Sequence, residues 1–481
     1  MRESVDVFMR DSDAFSWYME HDPALRSTIV AVAWLDRSPD WNELCARLER
    51  ATRQIPVFRM RLLEPPARLS TPRWAVDPDF DLGWHVRRVD APAPRTPAVV
   101  LEIARIAATT AFDPAHPLWE FTLVEHLEYD QAALVMKLHH SLTDGIGGMD
   151  LALLLFDADA EVSGPATSDP LPPAPPGDAL TEFGLVRESL MHDWSRALHA
   201  VRHEVAAAPS ALGRASRHPV RTAAGVVQTV RSIAHTVAPV SHTMSPVMTG
   251  RSLRRTLDVI TVPLADLKAG ASAADGSLND GFLAAMTGGL WRYHEAHTAP
   301  AYELRVTLPI SIRQDGDPIG GNRITLQRFT VPLTPSDVAA RMRLIGRRCR
   351  AARDEPSLPL TNTIAGALNL LPPTVIGGML KHVDFLASNV PGFPFPVYLA
   401  GARVNAYVPF GPTIGAALNA TLLSYDGTCF VGVTFDDAAV PDPDVLMTCL
   451  AKGFDEVLEL GGTHARPLLP TRIGVAPTAA H

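Results

Sequence analysis

The segment Met136 to Gly148 reads MKLHHSLTDGIGG. An apolar stretch ends in His139 and His140, Asp144 follows, and then come Gly145, Gly147 and Gly148. Imidazole is the side chain whose ordinary pKa suits proton transfer near neutrality. Adjacent side chains on a strand point to opposite faces, so only one of the two rings can face a given cavity. The other belongs to the scaffold. Asp144 can orient an imidazole or lock the turn through an Arg. Gly145 lacks a Cβ, which lets a substrate pass close to the backbone. Taken alone, the pair also fits two core histidines. A metal site is a weaker fit, because no third ligand lies nearby and the pattern is not a HExxH helix. A serine hydrolase is weaker still, because the chain holds no GxSxG elbow.

The elements that must position these residues are legible in outline. Ile29–Leu35 is β-rich and apolar, a buried strand. Trp41–Thr52 places Trp41, Leu44, Cys45 and Leu48 at helical spacing. Trp84–Val89 reads as a strand, and Pro97–Ala108 as a helix with Pro in its first turn. Two further strands, Trp119–Glu125 and Ala132–Leu138, flank a polar turn at Glu128, Tyr129 and Asp130. These elements make a first zone, residues 1–158. From about Thr256 the pattern resumes. Strands are expected at Leu257–Val262, Leu304–Pro309, Leu326–Val331, Val404–Val408, Ala416–Leu423 and Cys429–Phe435. Helices are expected at Asp280–His294, Ser336–Arg353 (capped by Ser336) and Asp444–Leu460. Residues 256–461 therefore form a second zone, and the Pro-, Ala- and Thr-rich residues 462–481 a disordered tail. Two lobes that each mix strands with helices imply an α/β or α+β architecture.

Residues 159–255 differ. They open with the Pro-rich run PLPPAPPGD, an extended linker, followed by helical patterns at about Leu180–Ala207 and Val220–Val237. From Arg187 to Arg255 there are ten Arg against three acids, Glu188, Asp193 and Glu204. That excess suits an anionic lipid surface or a phosphate-bearing ligand, or else a solvated helical connector.

The totals exclude several classes. A net charge of −9 with a pI near 6.0 argues against a nucleic-acid binder. Cys45, Cys349, Cys429 and Cys449 form no CxxC pair and fit neither a zinc site nor a disulfide framework. The N-terminus is charged and lacks the apolar core of a secretory signal. The apolar run Leu358–Leu380 is broken by Asn362, Asn369, Pro372 and Pro373, so it is not a membrane span. It can line an acyl channel, lie at a lipid interface, or fill ordinary core. A cytoplasmic protein with peripheral membrane contact is expected.

His139-His140-Ser141-Leu142-Thr143-Asp144-Gly145 resembles the HHxxxDG motif of the CoA-dependent acyltransferase superfamily. Four more blocks resemble the bacterial wax ester synthase/diacylglycerol acyltransferase family within it. They are Pro117-Leu118-Trp119; Asn279-Asp280; Leu308 to Arg313 with Gly321-Asn322-Arg323; and Ser388-Asn389-Val390-Pro391-Gly392 with Tyr398 to Ala402. Asp11 to Trp17 departs from the family's opening block, and Phe393 stands where the family has Pro.

The resemblance implies two chloramphenicol-acetyltransferase-like lobes with a substrate tunnel between them, joined by a helical linker. It implies acyl-CoA as co-substrate, no permanently bound cofactor and no metal. The acceptor would be diacylglycerol or a long-chain alcohol, at a plasma-membrane inner face or a lipid droplet. His140 would be the general base, His139 a scaffold residue and Asn279 an oxyanion donor. Asp144 would pair with Arg313. Pro117, Leu118 and Trp119 would shape the pocket. Some of Arg341, Arg343, Arg347, Arg348 and Arg350 could meet CoA phosphates.

Overall fold

The computed structural model describes residues 8–68, 70–142, 151–159, 170–175, 184–194, 240–311, 324–334, 337–355, 358, 361–369 and 373–462. Fourteen strands lie among them: β1 Thr28–Leu35, β2 Met60–Leu63, β3 Arg73–Val76, β4 Val86–Asp90, β5 Trp119–Glu125, β6 Ala132–His139, β7 Arg255–Pro263, β8 Glu303–Ser311, β9 Ile324–Pro332, β10 Phe385–Val390, β11 Tyr398–Leu399, β12 Ala402–Phe410, β13 Leu418–Tyr425 and β14 Thr428–Asp436. One six-stranded sheet runs β11-β12-β1-β6-β5-β4, a second runs β7-β14-β13-β10-β8-β9, and β2-β3 form a ribbon. Both large sheets are mixed: β4 and β5 are parallel, as are β10 with β13 and β10 with β8, and the other pairs are antiparallel.

The two sequence zones are not the two layers. β11 and β12 come from the C-terminal zone, yet they complete the first sheet. β12 pairs antiparallel with β1, Val30 opposite Phe410. β12 is rich in β-branched and aromatic residues and almost wholly buried, which is what an interior strand needs.

The helices Asp11–Met19, Trp41–Gln54 and Pro97–Thr109 contribute to the first core, through residues such as Trp17, Leu48 and Ala104. The Asp40 carboxylate caps the second of these, accepting from the Glu43 N–H at 2.8 Å. Helices Leu264–Ser272, Leu278–Ala296, Val338–Arg353 and Pro443–Leu460 build the second core with β13 and β14. Leu278–Ala296 and Pro443–Leu460 cross at close quarters. A Cβ on Gly453 would stand 2.1 Å from the Ala285 carbonyl oxygen, so only glycine fits there.

Two expected elements need correction, and a third gains a place in the fold. Trp84 and His85 are helical, not extended: the Asp81 carboxylate accepts from Gly83 N–H and caps the turn Leu82–His85, after which β4 begins. The helix Val338–Arg353 is capped by Asp337, whose carboxylate accepts from Ala339 N–H; Ser336 lies outside the described residues. The run Leu358–Leu380 contributes helices Thr361–Leu368 and Pro373–Leu380, and these pack on Asp11–Met19. Asn362 and Asn369 donate to the Asp11 carboxylate and carbonyl at 3.3 and 2.9 Å. This run thus braces the N-terminal helix. The Val220–Val237 pattern and the 462–481 tail fall outside the described residues, apart from Gly462. Of Leu180–Ala207, residues 184–194 are helical. No described helix is long and apolar enough to cross a membrane.

Candidate active site

β6 delivers both histidines, and the pleat separates them. Met136, Leu138 and His140 line a cavity of about 290 Å³ between the two large sheets. Lys137 and His139 point the other way and are buried. Ile29 and Ala31 of β1 and Tyr407 and Pro409 of β12 extend the same wall. The facing wall comes from the second sheet. Leu386, Ser388 and Val390 of β10 stand opposite Asn419, Thr421 and Leu423 of β13 in parallel register, and all six border the cavity. Their alternates Leu418, Ala420 and Leu422 are fully buried in the second core. Leu151, Ala152 and Leu155 add an apolar side.

His140 is half-buried, and its N–H donates to the Ser27 carbonyl at 3.0 Å, which continues the β6–β1 ladder past the strand end. Its ring therefore stands on the cavity wall at the end of a paired strand.

His139 is fully buried and held on every side. Its Nδ1 accepts from the Ser141 N–H at 3.2 Å and the Ser141 hydroxyl at 2.7 Å. That leaves Nε2 as the protonated nitrogen, 3.4 Å from Glu20 Oε2. Trp17 and Phe112 meet the ring edge-on at 5.5 and 6.0 Å. Glu20 also accepts from the Ser27 N–H at 2.9 Å and faces Arg26 at 3.6 Å. Burial alone would raise the Glu20 carboxyl. The His139 hydrogen bond and charge, the Ser27 N–H and Arg26 together outweigh it and hold the carboxyl below its ordinary value. Sequence reasoning missed Glu20. It follows the first helix with no periodicity or motif to mark it.

Lys137 shares the closed face. Its ammonium lies 4.2 Å from the Phe112 ring centre and 2.8 Å from Glu120, and burial pushes its pKa down despite that carboxylate.

Pro117, Leu118 and Trp119 are not among the cavity-lining residues. They fix the strand that carries the histidines. The Leu118 carbonyl accepts from His139 N–H at 3.0 Å. Trp119 Nε1 donates to the Phe58 carbonyl at 2.8 Å, and its ring stacks on His85 at 4.4 Å. His85 is pushed down to about 4 by burial, against the hydrogen bond it makes to the Trp119 carbonyl, so this stack is neutral at physiological pH.

Asn279 also lies elsewhere. It sits in the first turn of Leu278–Ala296, where Ser277 and Asp280 form a reciprocal capping box. It is not among the cavity-lining residues. Asn389 and Asn419 are the amides that line the cavity; Asn419 Nδ2 donates to the Pro412 carbonyl at 2.6 Å and its Oδ1 accepts from Thr421 at 3.0 Å. Asp144, Gly145, Arg313 and Gly321 to Arg323 fall outside the described residues. All four cysteines are free thiols; burial pushes Cys349 and Cys429 up to about 12, as for inert core residues.

An imidazole on the wall of a largely apolar cavity can take a proton from a hydroxyl held beside it. Residues 9–282 match the wax ester synthase/diacylglycerol acyltransferase catalytic domain, and residues 320–458 match the WS/DGAT C-terminal domain. A Mycobacterium tuberculosis protein provisionally named a diacylglycerol O-acyltransferase is 36% identical over 94% of this chain and 91% of its own length. A second protein of that organism, named likewise, is 27% identical over 95% and 98%. The fold is similar to the wax ester synthase/diacylglycerol acyltransferase from Marinobacter aquaeolei, with TM-score 0.60, 20% identity and coverage of 95% and 100%. It is also similar to the first condensation domain of the calcium-dependent antibiotic synthetase, with TM-score 0.61, 15% identity and coverage of 96% and 99%. With both domains of the family matched along its length and the imidazole of its HH motif on the cavity wall, the chain belongs to the wax ester synthase/diacylglycerol acyltransferase family, as a two-lobed acyltransferase.

Proposed function

We propose that the chain transfers a long-chain acyl group from acyl-CoA to the hydroxyl of diacylglycerol, giving triacylglycerol, and to long-chain alcohols, giving wax esters. His140 is the general base. It takes the hydroxyl proton as the oxygen attacks the thioester carbonyl, and returns it to the CoA thiolate as the carbon–sulfur bond breaks. One observation carries this reading: of the two adjacent histidines, only His140 borders the apolar cavity. His139, Glu20 and Ser141 are positioning residues that hold the strand end. Asp144 and Arg313 are proposed as the ion pair that closes the following turn. The acceptors are lipids. Peripheral contact with a membrane or droplet surface is supported by the exposed Leu190, Met191 and Trp194 on helical residues 184–194.

The test is stoichiometric. Purified protein is given a long-chain acyl-CoA with diacylglycerol, with a fatty alcohol, or with neither, and both free CoA thiol and ester are counted. Equal amounts of each, dependent on the acceptor, support the proposal. Thiol release that ignores the acceptor indicates a hydrolase and overturns it.

A further inference from the structure

A second cavity, of about 450 Å³, lies along β9, the outermost strand of the second sheet. Its character is opposite to that of the first. Arg305 of β8, Arg328 and Thr330 of β9, and Arg348 of the helix Val338–Arg353 line it, and Glu355 is the one carboxylate among its lining residues. Arg305 Nη1 donates to two carbonyls, those of His242 and His382, at 2.9 and 3.0 Å. Arg348 donates to the Thr330 carbonyl and hydroxyl at 2.9 and 2.8 Å, and to Glu303 at 2.6 Å. The buried Asp384 is close, but its carboxylate accepts from the backbone N–H groups of Met244, Ser245 and Arg305.

The positive field is felt locally. Burial, joined by the charge of Arg305, pushes the Arg328 guanidinium below its ordinary value. Burial and the charges of Arg251, Arg305 and His242 do the same to His382. An anion entering the groove would meet three guanidinium groups, with Glu303 and Glu355 as the carboxylates beside them.

Strand register connects this groove to the apolar cavity. Thr307 pairs with Leu386 on one side and with Arg328 on the other. Leu386 borders the apolar cavity, so two strand spacings, about 10 Å, separate that wall from Arg328. Along β9, Leu326 borders the apolar cavity and Arg328, the next residue on the same face, borders the basic one.

We propose that this groove binds the phosphate groups at the nucleotide end of the acyl donor, while the thioester and fatty chain occupy the adjoining apolar cavity. The identification of the donor rests on the acyl-CoA reading above. Guanidinium forks suit phosphate oxygens, which accept two parallel hydrogen bonds from each. An anionic lipid headgroup offers the same chemistry from a different source.

The full-length protein and its Arg328→Gln, Arg348→Gln and Arg328→Lys variants are compared. KM is measured for palmitoyl-CoA and for the phosphate-free palmitoyl-N-acetylcysteamine thioester, and binding of adenosine 3′,5′-bisphosphate is measured by calorimetry. Each Gln variant is expected to raise the palmitoyl-CoA KM about tenfold and to weaken nucleotide binding by a similar factor, with the phosphate-free thioester shifted less than about twofold. Arg328→Lys should recover part of the loss, because the charge remains. An unchanged palmitoyl-CoA KM, or equal changes with both donors, overturns the assignment. So does loss of phosphatidylglycerol-vesicle binding with the palmitoyl-CoA KM intact, which makes the groove a headgroup site. If the unaltered protein transfers from no donor, yet binds the nucleotide in an Arg328-dependent way, the acyltransferase reading fails and the phosphate groove stands.

Discussion

On one face of β6, Met136, Leu138 and His140 border a cavity; on the other, Lys137 and His139 are packed among acids and aromatic rings. The contrast shows how one strand places one imidazole on a cavity wall and packs its neighbour into the scaffold. On the closed face, Glu20, Ser141, Glu120, Trp17 and Phe112 hold the two polar side chains in fixed positions. On the open face, the neighbours of His140 on its own strand are apolar. Rigidity is provided on one face and access on the other.

Replacing residues on either face tests that division, and the largest effect belongs to the open one. His140→Ala should lower turnover about 10²–10⁴-fold, the usual contribution of a positioned general base. Its urea midpoint should stay close to that of the parent, because the ring borders a cavity. A large loss of stability without loss of turnover would reverse the roles of the two faces. His139→Ala should act on stability first, costing about 3 kcal/mol in equilibrium unfolding, because it removes a fully buried ring and one of the partners of the Glu20 carboxylate, which keeps the Ser27 N–H and Arg26. Glu20→Gln should cost about 1–2 kcal/mol near neutral pH. The Glu20 carboxyl is held below its ordinary value of 4.5, so its contribution is present above that pH and fades as pH falls through the lower, folded value. The gap between parent and Glu20→Gln should therefore narrow in acid, and a gap constant down to the acid limit would remove Glu20 from the account. Trp119→Phe deletes the hydrogen bond to the Phe58 carbonyl and part of a fully buried ring stacked on His85, and should cost about 1–2 kcal/mol, read from the same unfolding curves.

Much of this arrangement was legible in the sequence. The pleat argument required the two histidines to part, and β1, β5, β6 and the helix at Pro97 appear close to where their apolar patterns put them. What was not legible has physical causes. Glu20 meets His139 only through the tertiary fold, and a single buried carboxylate leaves no periodic trace. β10 is a short interior strand whose second half, Ser388-Asn389-Val390, runs into Pro391 and Gly392 and so reads as a turn. Pro117-Leu118-Trp119 was visible as a motif, but a motif does not say whether it faces the cavity or the strand behind it. The first turn at Asn279 could be read as a helix start, yet its cap is Ser277. Nor does composition reveal that strands near the C-terminus belong to the first sheet.

That crossing of β11 and β12 into the first sheet determines how the protein can be divided. A fragment ending before β7 would lack two of the six strands of its sheet and leave the hydrogen-bonding edge of β1 bare, an open template for aggregation. The complementary fragment would keep only the two-residue β11 beside β12 and lose the long pairing of β12 with β1. Fusions, splits and swaps are therefore best cut so that both sheets travel together.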